Sequence, residues 1–179
     1  MLKKILIGLF AIIAIFVLIV STRSADFRVS RSATFNAPPS AAFDQVNDFH
    51  KWGGWDPWAK LDPNSKTTFD GPPSGVGASM AWDGNNQVGK GKVTIIESKS
   101  PERVAMRMDF EKPMKATNEA EFTFKADGDK TVVTWTMTGK NNFFGKAFSL
   151  FVDCDKMAGP QFEKGLASMK AIAESSAGK

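Results

Sequence analysis

Residues 119–138 read EAEFTFKADGDKTVVTWTMT, and the alternation in this stretch decides the fold. Ala120, Phe122 and Phe124 stand between Glu119, Glu121, Thr123 and Lys125, and Val133, Trp135 and Met137 keep the same period of two. That period predicts two strands, each with one buried face. Asp127-Gly128-Asp129-Lys130 between them has the composition of a tight turn, so the strands pair antiparallel as a hairpin.

The pattern continues toward the N-terminus. Val104, Met106, Met108 and Phe110 form one run, Val93 and Ile95 another, and Val76, Ala78, Met80 and Trp82 a third. Turn signals separate them: Ser98 to Glu102, Asp83-Gly84-Asn85-Asn86 as a hairpin candidate, and Gly71-Pro72-Pro73-Ser74-Gly75 ahead of the third run. Short links between neighbouring strands imply an antiparallel meander. Further upstream Phe27, Val29, Ala33 and Phe35 alternate with Arg28, Ser30, Ser32 and Thr34, while Arg31 falls on the apolar phase. That arginine either snorkels to water at the strand mouth or is a paired charge inside. After Ala37-Pro38-Pro39, Ser40 reads as the cap of a helix carrying Ala41, Ala42, Phe43, Val46 and Phe49. Lys51 to Pro63, rich in Trp, Gly, Pro and Asp, reads as a loop or short helical turns.

Toward the C-terminus the period changes. Phe144, Ala147, Phe148 and Phe151, then Phe162, Leu166, Met169 and Ile172, recur every three or four residues, predicting a long amphipathic helix that Pro160 kinks or splits near Met157 to Pro160. Strands gathered together with helices on one side give an α+β fold whose sheet closes its apolar face over the last helix.

The N-terminus is of another kind. Ile5 to Val20 is apolar throughout and follows Lys3 and Lys4. With Leu2, Ser21 and Thr22 it reaches the lower end of the length that crosses a bilayer. A cleaved secretory signal has the same layout, but cleavage after Ala25 or after Ser21 would place Arg23 or Ile19 at the minus-three position, where a small residue is required. Residues 1–25 are therefore read as an uncleaved transmembrane anchor and residues 26–179 as one domain. Arg23, Arg28 and Arg31 after the span offset Lys3 and Lys4 before it, so charge alone does not orient the chain. The signal-like layout places the domain on the periplasmic or extracellular side of a bacterial cytoplasmic membrane, as a single-pass protein.

Of the 23 basic residues three, Lys3, Lys4 and Arg23, precede residue 26, leaving 20 against 19 acidic residues in the domain. A near-neutral, interspersed surface carries no footprint for nucleic acid. Cys154 is the single cysteine, so no intrachain disulfide forms.

Phe35-Asn36-Ala37-Pro38, the stretch Asp48-Phe49-His50-Lys51-Trp52-Gly53-Gly54-Trp55-Asp56-Pro57-Trp58, Gly71 to Gly77, and Phe162-Glu163-Lys164-Gly165-Leu166 resemble the START-like superfamily, in particular its bacterial polyketide cyclase/dehydrase branch, the SRPBCC proteins. The resemblance covers about residues 26 to 175. It implies a helix-grip fold, an antiparallel sheet wrapped round the long C-terminal helix, with a cavity for an apolar ligand. Members bind lipids, sterols, polyketides or hormones, and only some catalyse a reaction, so the resemblance implies no particular chemistry.

The residues themselves point the same way. The chain has one His and no Tyr, and a metal site needs more soft ligands than His50 and Cys154 supply, so neither a metal nor another cofactor is expected. His50 shows no orienting partner in the sequence and reads as a helix-end residue. Arg107, Asp109, Glu111, Glu119 and Glu121 alternate with the apolar set and belong to the solvated outer face. Asp153 to Gly159 resembles the start of a calcium loop, but its glycine is one place late, and Lys164 stands where a bidentate Glu is required. The glycines of Gly75-Val-Gly77 and Gly89-Lys-Gly91 precede strands and read as turn or bulge residues. Trp52, Trp55 and Trp58 either cover the cavity mouth or cap the core. Met80, Trp82, Met106, Met108, Phe110, Phe122, Phe124, Trp135 and Met137 form the core and, in a helix grip, the ligand-lining surface. The expected function is binding of a lipid-like or polyketide-like molecule beside a membrane. The alternatives are a cyclase or dehydratase using carboxylate acid-base chemistry, in which substitution of Asp48, His50 or Asp56 would abolish turnover, and an interaction module whose Trp loop docks a protein.

Overall fold

The computed structural model describes residues 1–177, so residues 178 and 179 of the expected domain lie outside the described residues. Helix α1 spans Leu2–Thr22, β1 Asp26–Phe35 and α2 Pro39–Asn47, followed by a 3-10 helix over Phe49–Gly54. Six further strands follow: β2 Lys66–Asp70, β3 Ser79–Asp83, β4 Lys90–Lys99, β5 Arg103–Lys112, β6 Ala116–Asp127 and β7 Lys130–Lys140. Helices α3 (Phe143–Phe148) and α4 (Cys154–Ala177) end the chain. The seven strands form one antiparallel sheet in the order β1-β7-β6-β5-β4-β3-β2.

Register makes the apolar alternation into a surface. Val104 lies opposite Phe122 and Phe122 opposite Trp135, while Met106 lies opposite Ala120 and Ala120 opposite Met137. Apolar partners thus meet on one face, the unit from which sheet stability is built. The other face carries charge. Arg103 bridges Glu97 and Glu121, and Arg107 Nε donates to Asp109 at 2.8 Å.

Helix α4 lies against the apolar face and buries Phe162, Leu166, Met169 and Ala173. Each of the larger three contributes about 1.5–3 kcal/mol by leaving water. Both ends of the helix are tied to β1 or to the residue that follows it. Arg31 makes a bidentate pair with Asp155 at 2.7 and 2.8 Å and a further bond to Glu163 at 2.8 Å, and the Asn36 N–H donates to Glu174 at 2.6 Å. Gly159 leaves the space that the Arg31 guanidinium occupies, since a Cβ there would overlap it. Arg31 is thus a paired charge at the seam between β1 and α4.

Several local expectations change. The α2 helix begins at Pro39, whose fixed φ suits a first helical position, and Ser40 lies inside it without capping. Phe49 opens the 3-10 helix instead, where Asp48 caps by accepting the His50 N–H. Val76 and Ala78 precede β3 in a glycine-rich turn. The β3–β4 link runs through residue 89, closed by the Gly84 N–H to Gly89 O bond. β2 carries no sequence signal, because Lys66-Thr67-Thr68-Phe69-Asp70 is an exposed edge strand with no apolar alternation. Pro160 does not split the last helix. The break falls at residues 149–153, where Asp153 caps the new helix by accepting the Asp155 N–H, and Pro160, on the exposed side, forgoes one hydrogen bond within a continuous α4.

Candidate ligand-binding face

The middle of the concave face is filled by aromatic rings. Trp135 lies parallel to Phe162 with centroids 4.0 Å apart and stacks on Phe122 at 4.8 Å. Trp55 meets Trp135 and Phe122 edge-on at 5.7 and 5.9 Å. The buried indoles satisfy themselves: Trp52 Nε1 donates to Val46 O at 3.1 Å and Trp55 Nε1 to Gln45 O at 3.0 Å. Trp52 and Trp55 are therefore core residues that cap the sheet, together with Met106, Phe122, Phe124 and Trp135.

The other half of the expected set behaves differently. Trp58, Met80, Trp82, Met108, Phe110 and Met137 are each half-buried. Trp58 packs edge-on to Trp135 and Phe162 at 5.9 and 6.1 Å, so one of its faces belongs to the aromatic floor. Met80 lies opposite Val93 and Val93 opposite Met108. Trp82 and Phe110 flank Gly91 from the two neighbouring strands, and their rings approach to 5.8 Å. Glycine is required between them, because a Cβ at residue 91 would lie 2.7 Å from the Trp82 ring.

Phe27, on the apolar phase of its strand in the sequence but not in the expected ligand-lining set, joins this surface together with Asn118. Phe27 is in phase with Val29 and half-buried, and Asn118 lies opposite Met108 and Gly139 on the same inward phase. Phase alone would have found both. The strand residues of this set lie toward the end of the sheet where β1 starts and β5 and β7 end, which is the end joined to α1 through residues 23–25. The arrangement is an apolar, partly solvated surface with one amide on it. It can take up an apolar molecule by desolvation and orient it through a hydrogen bond.

Two carboxylates lie near aromatic groups. Asp56, beside Trp58, accepts the Trp58 N–H at 3.1 Å, and burial pushes its carboxyl up to about 6. His50 does have an orienting partner: its Nδ1 lies 2.9 Å from Asp48 Oδ1, and its ring stacks on Phe69 at 4.2 Å. His50 and Phe69 line a cleft of about 230 Å³ between the 3-10 helix and the β2–β3 turn, together with Pro72, Pro73 and Ser79. A second trough, about 610 Å³, crosses the polar outer side of β1, β7 and β6 and includes Arg28, Thr117, Glu119 and Thr138. Among the described residues no group of three or more His, Cys, Asp or Glu side chains could hold a metal ion. Cys154 is half-buried, and burial raises its thiol above the usual range.

A family model described as polyketide cyclase / dehydrase and lipid transport matches residues 26–174. No curated protein matches the chain. Among solved structures, a Rhizobium loti protein is similar with a TM-score of 0.60 at 16% identity, covering 84% of this chain and 99% of that one. A Chromobacterium violaceum protein gives 0.59 at 14%, over 84% and 97%. The major latex-like protein 151 of Panax ginseng gives 0.54 at 11%, over 86% and 98%. At these identities the likeness is one of fold.

Proposed function

From the premise that the chain belongs to the polyketide cyclase / dehydrase and lipid transport family through residues 26–174, we propose that it is a membrane-anchored binding protein for an apolar small molecule. The observation that carries this reading is the half-buried set Trp58, Met80, Trp82, Met108, Phe110 and Met137, which stays partly open beside an aromatic floor that is fully packed. Six large apolar side chains left part-hydrated on one concave face are costly unless something covers them. Three flexible methionines suit a lipid-like or polyketide-like ligand of variable shape. Residues 26–179 form the binding domain in this proposal.

Helix α1 supports the anchor. It is 21 residues long, its most apolar 18-residue window has a mean hydropathy of 3.0, and nearly all of that window is exposed outside the domain. A single-pass protein in a bacterial cytoplasmic membrane, with its domain on the periplasmic or outer side, is the localisation proposed. Tethering raises the effective concentration of the domain at any ligand drawn from the bilayer.

The test is mass spectrometry of organic extracts from the purified full-length protein. A reproducible apolar species in near-equal amount to protein is the expected result. Protein that is empty after mild purification and takes up nothing from added lipid would overturn the proposal. Asp56 favours a second reading, a cyclase or dehydratase, because a carboxyl with a pKa near 6 exchanges protons readily at neutral pH. Turnover of a polyketide-like substrate that Asp56→Asn abolishes, with ligand binding intact, would select it.

A further inference from the structure

Beyond the floor and the half-buried face, half of the exposed large apolar side chains described in the domain, the two most exposed among them, fall in one stretch of the chain. Phe143, Phe144, Phe148, Phe151 and Met157 are 42%, 75%, 47%, 81% and 59% exposed, on α3, the link after it and the first turn of α4. Among the described residues they stay open to solvent, Phe144 and Phe151 most of all. A water-facing surface of four phenylalanines within nine residues is unfavourable for a soluble face.

What adjoins this patch identifies its occupant. Helix α3 packs against the end of α1: Lys146 Nζ donates to Ser21 O at 3.0 Å, and the Asn141 N–H donates to Ala25 O at 2.8 Å. The exposed phenylalanines are thus continuous with the C-terminal end of the apolar helix. Arg23 follows that helix directly, Lys140 precedes α3 and Lys146 lies within it, so cations border the apolar patch as they do at a headgroup layer. Aromatic rings with a cationic rim on a short helix beside a membrane span have the composition of an interfacial segment.

We propose that α3 and the link through Phe151 insert into the headgroup and upper acyl region of the bilayer that α1 crosses. This rests on the anchor reading above and goes further, because it fixes how the domain sits. The end of the sheet bearing Phe27 and Met137 faces the lipid surface, so an apolar ligand enters the concave face from the membrane without crossing bulk water.

The test uses the full chain with Cys154→Ser, reconstituted in vesicles of phosphatidylethanolamine and phosphatidylglycerol. Nitroxide labels are placed through Phe144→Cys, Phe151→Cys and, at the opposite end of the sheet in the β6–β7 turn, Asp129→Cys. The readout is relaxation by oxygen against a water-soluble nickel chelate. All three positions are exposed, so the labels do not disturb the core. Expected are strong oxygen and weak nickel contact at 144 and 151, with the reverse at 129. Nickel contact at 144 and 151 equal to that at 129, in a protein that resists alkaline extraction, would overturn the inference while leaving the anchor standing. Protection from both reagents would also overturn it, because the patch would then be buried against another protein copy. Release of the full chain by alkaline extraction would remove the anchor and this inference with it, leaving ligand binding to be judged by the extraction test.

Discussion

Replacing Asp56 by asparagine probes whether the loop beside the ligand face is dry. In the folded protein the carboxyl sits at about 6 against an ordinary 3.8, with burial as the larger cause and the Trp58 N–H bond opposing it. A raised carboxyl pKa means that the native state holds more protons than the unfolded state between these two values. Stability therefore falls as pH rises from about 4 to about 6 and is level above that. The separation of roughly two units corresponds to about 3 kcal/mol at most, present as a destabilisation at pH 7 and absent at pH 4. Asparagine keeps an oxygen that accepts the Trp58 N–H and removes the titration. Urea unfolding of the full chain in detergent, followed by Trp fluorescence at several pH values, measures the effect. The variant should match the parent near pH 4 and exceed it at pH 7 by as much as about 3 kcal/mol, less the cost of any unpaired amide proton. Two curves that stay parallel across this range would refute the reasoning, because Asp56 would then be as hydrated folded as unfolded.

Phe162→Ala removes a ring 1% exposed and stacked on Trp135, and should cost about 3–5 kcal/mol in the same unfolding assay. Met108→Glu places a charge on the half-buried face without opening the packed floor. It should weaken uptake of a fluorescent fatty-acid probe at least about tenfold, roughly 1.4 kcal/mol, in a titration read by energy transfer from Trp58 and Trp82. Asp155→Asn breaks the bidentate pair with Arg31, whose hydrogen bonds hold the Asp155 carboxyl below the usual carboxylate range. Because a lowered pKa stabilises above the unfolded value and loses its effect as pH falls through the folded one, thermal melts should show a deficit at pH 7 that closes in acid.

Where the alternation was regular, the sequence was sufficient. Ala120, Phe122 and Phe124 opposite Val133, Trp135 and Met137 could be placed on one face from period and turn chemistry alone, and the antiparallel order followed from short links. β2 carried no such signal, since an edge strand exposed along its whole length needs no apolar face. Pro160 misled because a proline forfeits one bond, whereas the cap at Asp153 and the tie from Arg31 to Asp155 fix where the helix starts. The site was half legible. Sequence supplied all six half-buried residues but no means of separating them from Trp55, Phe122 and Trp135, because depth along a strand depends on where α4 crosses the sheet. The His50 to Asp48 contact was invisible for a related reason: it requires the 3-10 geometry after residue 48.

Methionine side chains offer the most direct view of the proposed face. With ¹³C-methyl methionine in the full chain in detergent and a spin-labelled fatty acid as probe, the signals of Met80, Met108 and Met137 should broaden. Those of Met106 and Met169, each 0% exposed in the core, should stay sharp at low probe concentration. Unchanged Met80, Met108 and Met137 signals at saturating probe would contradict the claim that this concave face binds an apolar molecule.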